Sequence, residues 1–224
     1  MLNYTLTRSA RKSVGIYIRN GIVEVRAPLK CPKSDIDKIV ASKEKWITDK
    51  LAIYHEREES KKAFALNYGS QIYFCGKLHS IVARAGSRAG FDGECFYMPP
   101  NLTPEQIKQT CINAYRKLAK IRFTNAIVDY APKLGVLPTA IKINGAKTRW
   151  GSCSSKKSLN FSWRLVMADD DVIDYVVVHE LAHILQMNHS VKFWAVVESV
   201  LPDYKKRQAK LKELQKRLSA EDWG

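Results

Sequence analysis

Apolar and polar residues alternate through residues 14–25. Val14, Ile16 and Ile18 stand two apart, Asn20-Gly21 is a turn signal, and Ile22, Val23 and Val25 answer on the far side. A period of two lines one face of a strand, and Asn-Gly favours the tight turn between antiparallel neighbours. Residues 3–27 are therefore expected to form an antiparallel meander, ended by Pro28 and Pro32. Its basic residues, Arg8, Arg11, Lys12, Arg19 and Arg26, suit either the wet face of a sheet or a polyanion.

The period then changes. Ile36, Ile39, Val40, Trp46, Ile47, Leu51 and Tyr54 recur at three and four, which predicts one helix opening at Ser34. Asp35 and Asp37 suit its first turn. The charged run 55–62 follows and reads as a hinge or linker, with His55 exposed and idle. Two domains are expected: 1–62, a meander plus helix, and 63–224, able to pack together as one unit.

Alternation returns at 71–75 and 78–83 about a turn at Gly76-Lys77, with a loop at 86–90 and a short strand at 94–98. His79 lies in the second of these strands and reads as structural. Thr103-Pro104-Glu105 starts a long helix, with an N-cap and a proline at the first helical position. Its apolar period, from Ile107 to Val128, lasts to Tyr130, and 131–135 ends it. Residues 140–144 suit a short strand and 158–167 a longer one. In the longer one Leu159, Phe161, Trp163 and Leu165 oppose Asn160, Ser162 and Arg164. Its edge is expected near a cleft, where it can pair with an extended peptide.

Val172, Ile173, Val176, Val177, Leu181, Ile184 and Leu185 then carry a helical period around His179, Glu180 and His183. Asp169, Asp170 and Asp171 supply an N-cap candidate and an acidic first turn. The two histidines, four apart, share a helix face and can both reach one tetrahedral zinc. Glu180 then stands beside the metal, where it can take a proton from a zinc-bound water. This is the His-Glu-x-x-His pattern of zinc hydrolases. The plainer reading, two core histidines and a buried glutamate, leaves three polar groups buried without partners, which is costly.

A third ligand is required, and two candidates exist. Asn188 can adopt the left-handed conformation that ends a helix and returns His189 to the metal. The spacing matches the long metzincin pattern, yet Gln186 stands where that pattern has glycine and no methionine follows Met187. Glu198, on the next expected helix, is the rival and would complete a His₂Glu set. That helix opens at Ser190 and carries Phe193, Trp194, Val196, Val197 and Val200. Pro202-Asp203-Tyr204 introduces the last helix, whose Lys205, Lys206, Arg207, Lys210, Lys212, Lys216 and Arg217 make it the most basic element. It is the expected handle for an acidic partner. Tyr204 reads as a packing residue.

Several stretches together resemble the YgjP-like metallopeptidase family. They are Arg149-Trp150-Gly151-Ser152-Cys153-Ser154, Asn160-Phe161-Ser162-Trp163-Arg164-Leu165 and Asp174-Tyr175-Val176-Val177-Val178-His179-Glu180-Leu181-Ala182-His183. Met187-Asn188-His189-Ser190, Phe193-Trp194 and Pro202-Asp203-Tyr204 continue the likeness. It is dense over residues 147–204 and looser elsewhere. The family is similar to the SprT and WLM metallopeptidases. The resemblance implies a zincin-like α+β domain, with a His-Glu-x-x-His active-site helix and an antiparallel β-rich region before it. It implies His179, His183 and His189 as zinc ligands and Glu180 as general base. By analogy with zincins, the long helix at 103–130 would back the metal helix.

Composition narrows the class. The chain has 224 residues, 46% hydrophobic and 10% aromatic, which suits a folded protein with a proper core. Its formal charge of +15 favours polyanions: nucleic acid, an acidic protein surface or anionic lipid headgroups. Five cysteines, Cys31, Cys75, Cys95, Cys111 and Cys153, are scattered without a Cys-x-x-Cys pair. That excludes a zinc ribbon or a disulfide framework and fits reduced thiols in the cytoplasm. Cys153 either lines the site or is a small buried thiol. The N-terminus lacks an apolar signal core, and no apolar run is long enough to span a membrane.

The function expected is zinc-dependent hydrolysis, foremost of peptide bonds. Arg149 is a candidate contact to substrate or oxyanion, with a surface or packing role as its alternative. The alternatives are hydrolysis of a phosphorylated substrate such as a nucleotide, or a nucleic-acid-associated protein or protease.

Overall fold

Asn20 and Gly21 both hold positive φ, 50° and 73°, as a two-residue turn between antiparallel strands requires. The turn joins β2 (Gly15–Arg19) to β3 (Ile22–Pro28). The computed structural model describes residues 2–224. Within it β1 (Thr5–Ser9) lies parallel to β3, in the order β1-β3-β2, so the expected meander is corrected at its first strand. Alternation marks which face of a strand is apolar, not which strand becomes its neighbour, and here β3 inserts between the two strands that precede it.

A second correction follows directly. The single expected helix is two, α1 (Lys33–Ser42) and α2 (Glu44–Ala63), broken at Lys43. Pro32 rather than Ser34 holds the N-cap position. The charged run 55–62 is no linker but part of α2, braced by Lys61–Glu58 and Lys62–Glu59 pairs at 2.7 and 3.0 Å. Val23, Val25 and Ala27 of β3 pack with Ile36, Val40 and Ile47 of the helices. By contact density the chain divides into two compact units. One runs through Phe64 and includes Ser219–Asp222, and the other is Ala65–Leu218 with Trp223–Gly224.

In the second unit β4 (Gln71–Phe74) pairs antiparallel with β5 (Lys77–Ala83). Then come β6 (Gly90–Phe91) and β7 (Phe96–Met98), giving the order β4-β5-β7-β6. His79 packs among Phe74, Phe91 and Phe96, and its Nδ1 donates to the Glu94 carbonyl at 2.8 Å. That is a structural role.

α3 (Pro104–Leu134) opens with a capping box between Thr103 and Gln106. It continues past Tyr130 through Pro132 and stops only at Gly135, which takes the left-handed conformation at φ 65°. A small sheet follows: β8 (Ala140–Asn144), β9 (Gly151–Cys153) and β10 (Ser158–Ser162), ordered β8-β10-β9. β10 is central, so the outer edge belongs to β9 and not to the strand expected at 158–167. That strand is also shorter than its alternation suggested, because Trp163–Met167 coil into a 3-10 helix with every residue buried. Arg164 is accommodated there by donating to the carbonyls of Gly145 and Gly224 and stacking on Trp163.

Three helices complete the α+β architecture: α4 (Asp170–Ala182), α5 (Val191–Val200) and α6 (Tyr204–Leu218). Val172, Ile173, Val176, Val177 and Leu181 bury the inner side of α4. α3 lies behind it, where Arg122 reaches Asp170 and Asp174 at 2.7 Å each and Tyr130 donates to Asp174. From α6, Lys210 pairs with Asp169 and Asp171, Arg207 donates to the Asp171 carbonyl, and Arg217 donates to the Met167 carbonyl. Arg207 and Arg217 are thus half-buried and, with Lys210, tie α6 to the start of α4, while Lys205, Lys206, Lys212 and Lys216 stay on the exposed side. Among the described residues no helix is long and apolar enough to cross a membrane.

Candidate metal centre

The apolar helix α4 delivers His179 and Glu180 in its last turn and ends with His183 at the C-cap, φ −62° and ψ −22°. The chain then turns at once: Ile184 N–H donates to the Leu181 carbonyl, and those of Leu185 and Gln186 to Ala182. Among the described non-glycine residues, positive φ occurs at Asn20, Cys75, Asn101 and Lys157, so Asn188 is not a left-handed stop. The tight turn at 184–186 brings His189 back instead.

Ligand-capable atoms of His179, His183 and His189 all lie within 4.8 Å of one another. The Nε2 atoms of His179 and His189 are 3.1 Å apart. Two nitrogens on a tetrahedral zinc, each at about 2.0–2.1 Å, lie ~3.3 Å apart, close to that separation. His183 Nδ1 is 3.1 Å from the Gln186 carbonyl. A carbonyl only accepts, so Nδ1 carries the proton and Nε2 keeps its lone pair for a metal. Glu198 is exposed on α5 and lies outside this group.

Burial keeps the imidazoles of His179 and His183 neutral. It pushes His179 down to about 3, with His183 and His189 adding to the shift. Burial also lowers His183, against the pull of the Gln186 carbonyl and with a further push from His189. Neutral imidazole is the form that ligates a cation. Glu180 is only 5% exposed, and burial raises its carboxyl to about 8, opposed by the charge of Arg149. Oε2 of Glu180 and Nδ1 of His179 are buried without a hydrogen-bond partner among the described residues. Such orphaned atoms are costly in a finished core and mark a place where something else belongs.

Three features of the site are not legible from spacing alone. Phe193, fully buried on α5, packs its ring against all three imidazoles at centroid distances of 4.9, 4.6 and 4.8 Å. Trp194 stacks on His189 at 5.9 Å and on Tyr204 at 5.2 Å, which gives Tyr204 the packing role expected of it. Gly151 of β9 lies against Glu180 with no space for a side chain between them. The available signal was that Gly151 and Phe193-Trp194 stand in the stretches that carry the family resemblance. Burial raises the thiol of Cys153, half-buried on β9, with a smaller contribution from Glu180. Arg149 is exposed in the loop before β9, and its charge reaches Glu180.

A histidine cluster, half-buried at His179 and His183 and exposed at His189, beside the buried carboxylate of Glu180 is the donor set of a metal-dependent hydrolase. The family model for the YgjP-like metallopeptidase domain matches residues 12–214, and the chain belongs to that family. No curated protein matches the chain. Among solved structures it is similar to the metallopeptidase zymogen abylysin of Pyrococcus abyssi, with 20% identity and a TM-score of 0.37, over 46% of this chain and 97% of that one. It is also similar to the metallopeptidase zymogen jannalysin of Methanocaldococcus jannaschii, with 25% identity and a TM-score of 0.37, over 42% of this chain and 89% of that one.

Proposed function

We propose that the chain is a zinc-dependent peptidase in which His179, His183 and His189 hold the metal and Glu180 is the general base. The observation that carries this reading is the meeting of three histidine ligand atoms, within 4.8 Å, beside a carboxylate with a buried, unpartnered oxygen. The donor chemistry fits: three imidazoles suit zinc, and the fourth tetrahedral position is left for water or substrate. When bound, zinc supplies Lewis acidity, acidifying water and polarising an acyl oxygen.

The remaining roles belong to side chains of this protein. Glu180 takes the proton of the attacking water and hands it to the leaving amine. Its elevated proton affinity, with a pKa of about 8 before any metal charge acts on it, suits both halves of that task near neutral pH. Arg149 counters the negative charge that develops on the acyl oxygen. The free edge of β9 offers its backbone to an extended peptide beside Glu180. Five unpaired cysteines fit a reducing compartment, and we assign the protein to the cytoplasm.

Peptide hydrolysis is favoured over phosphoryl chemistry because the family is one of metallopeptidases. The test is a side-by-side assay of peptide libraries and nucleoside triphosphates with the zinc-loaded protein and its Glu180→Gln variant. The variant should keep its zinc and lose peptide turnover by roughly 10²- to 10⁴-fold, the usual worth of a general base. Full activity in the variant would remove Glu180 from that role. Turnover of triphosphates without peptides would move the reading to phosphoryl transfer.

A further inference from the structure

Three large apolar side chains left exposed, Tyr17, Trp46 and Ile53 at 37%, 44% and 39%, converge on one groove of the N-terminal unit. The groove, about 430 Å³ in volume, runs between β2, an edge strand, and α2. Trp46, Lys50, Ile53 and Arg57 follow one another by four, three and four, so they share one face of α2. Arg19 faces them from β2. Among the described residues no carboxylate lines the groove. The nearest acidic partner of Arg19 is Glu24 at 3.9 Å, with both side chains partly exposed, a weak pair. Lys50 and Arg57 form no ion pair among the described residues. Exposed rings beside unpaired cations are unlike an ordinary solvated helix face, where charges of both signs alternate and large rings are covered.

We propose that this groove binds single-stranded nucleic acid. Lys50, Arg57 and Arg19 meet the phosphates, and the exposed indole of Trp46 takes a base face. Stacking on a side chain needs an unpaired base, which selects single strands over duplex. An acidic peptide without aromatic residues, such as poly-glutamate, would satisfy the same cations but has no aromatic face to lay on the indole. The chain's charge of +15 adds long-range attraction for a polyanion. Every residue involved lies in the N-terminal unit, and the inference does not depend on the histidine site.

The test is fluorescence anisotropy of the full chain with a labelled oligothymidylate of about 20 nucleotides, long enough to cover a typical single-strand site, across a salt series. Binding should weaken linearly in log salt. Lys50→Ala/Arg57→Ala should reduce that slope by about 1.4, since each phosphate contact on a single strand contributes about 0.7. Trp46→Ala should weaken binding at least about fivefold with the slope unchanged, the loss of one stacked base. His189→Ala should change neither quantity. All three groove residues are exposed, and matched circular dichroism would exclude misfolding as the cause. Absence of binding at low salt, or wild-type behaviour in both groove variants, would overturn the proposal. So would displacement by poly-glutamate more effective than by unlabelled oligonucleotide, which would assign the groove to an acidic protein.

Discussion

A Cβ placed on Gly151 would sit 2.6 Å from both Cγ and Oε1 of Glu180. Real Cβ atoms do not approach that closely, and the atoms met, Cγ and the carboxylate itself, belong to a side chain that is only 5% exposed. The edge strand β9 therefore presses its backbone onto the carboxylate, and glycine is what permits the approach. Gly151→Ala should displace Glu180 while leaving the three histidines in place. The expected outcome is a loss of roughly 10²-fold in kcat/KM, as for ångström-scale misplacement of a catalytic group, with zinc stoichiometry unchanged. Parallel metal analysis and peptide kinetics would check it; wild-type activity in the variant would mean that the contact does not position Glu180.

Phe193 provides the floor under the imidazoles. Its ring, fully buried, touches His179, His183 and His189, so removing it opens a cavity directly beneath the proposed ligands. Phe193→Ala should cost about 3–5 kcal/mol of stability, the usual range for a buried phenylalanine. It should also weaken zinc binding, measured by competition with a chromophoric chelator. Phe193→Leu should recover most of both. Unaltered zinc affinity in a folded alanine variant would limit Phe193 to core packing.

The site should also write a pH signature on the stability of the metal-free protein. Glu180 titrates near 8 when folded against an ordinary 4.5, so the folded state holds a proton that the unfolded chain has released. The stability this contributes is complete below 4.5 and is lost as pH rises toward 8. His179 works in the opposite sense: its folded value is about 3 against 6.5, so its contribution is present above 6.5 and lost as pH falls toward 3. Between pH 6.5 and 8 Glu180 acts alone, and the metal-free protein should lose about 2 kcal/mol. Glu180→Gln should flatten that interval. Thermal melts of both proteins across the window would check it, and equal slopes would contradict the assignment of the buried proton to Glu180.

The helix carrying His179, Glu180 and His183 was the most legible part of the chain. The apolar spacing from Val172 to Leu181 fixes α4, and that helix brings His179 and His183 onto one face. What defeated pattern reading had physical causes. Trp163–Met167 are buried on every side, so an apparent two-faced alternation was in fact a fully enclosed coil, with Arg164 satisfied by carbonyls distant in sequence. Residues 55–62 carry no apolar stripe, and only their i,i+3 ion pairs betray a helix. The parallel placement of β1 and the central position of β10 depend on which strands meet, and alternation carries no such information. The reach of Arg207, Lys210 and Arg217 back to Asp171, Asp169 and Met167 was hidden from pattern reading because these partners lie more than thirty residues away in sequence.

The central claim is a zinc centre built by three histidines. Its most direct measurement is the metal content of untagged protein purified without chelator, beside a His189→Ala variant. The account predicts near one zinc per chain in the parent and a clear loss in the variant. Zinc fully retained in His189→Ala would pass the third position to Glu198 or another donor, and no zinc in either protein after adding it back would contradict the metal centre itself.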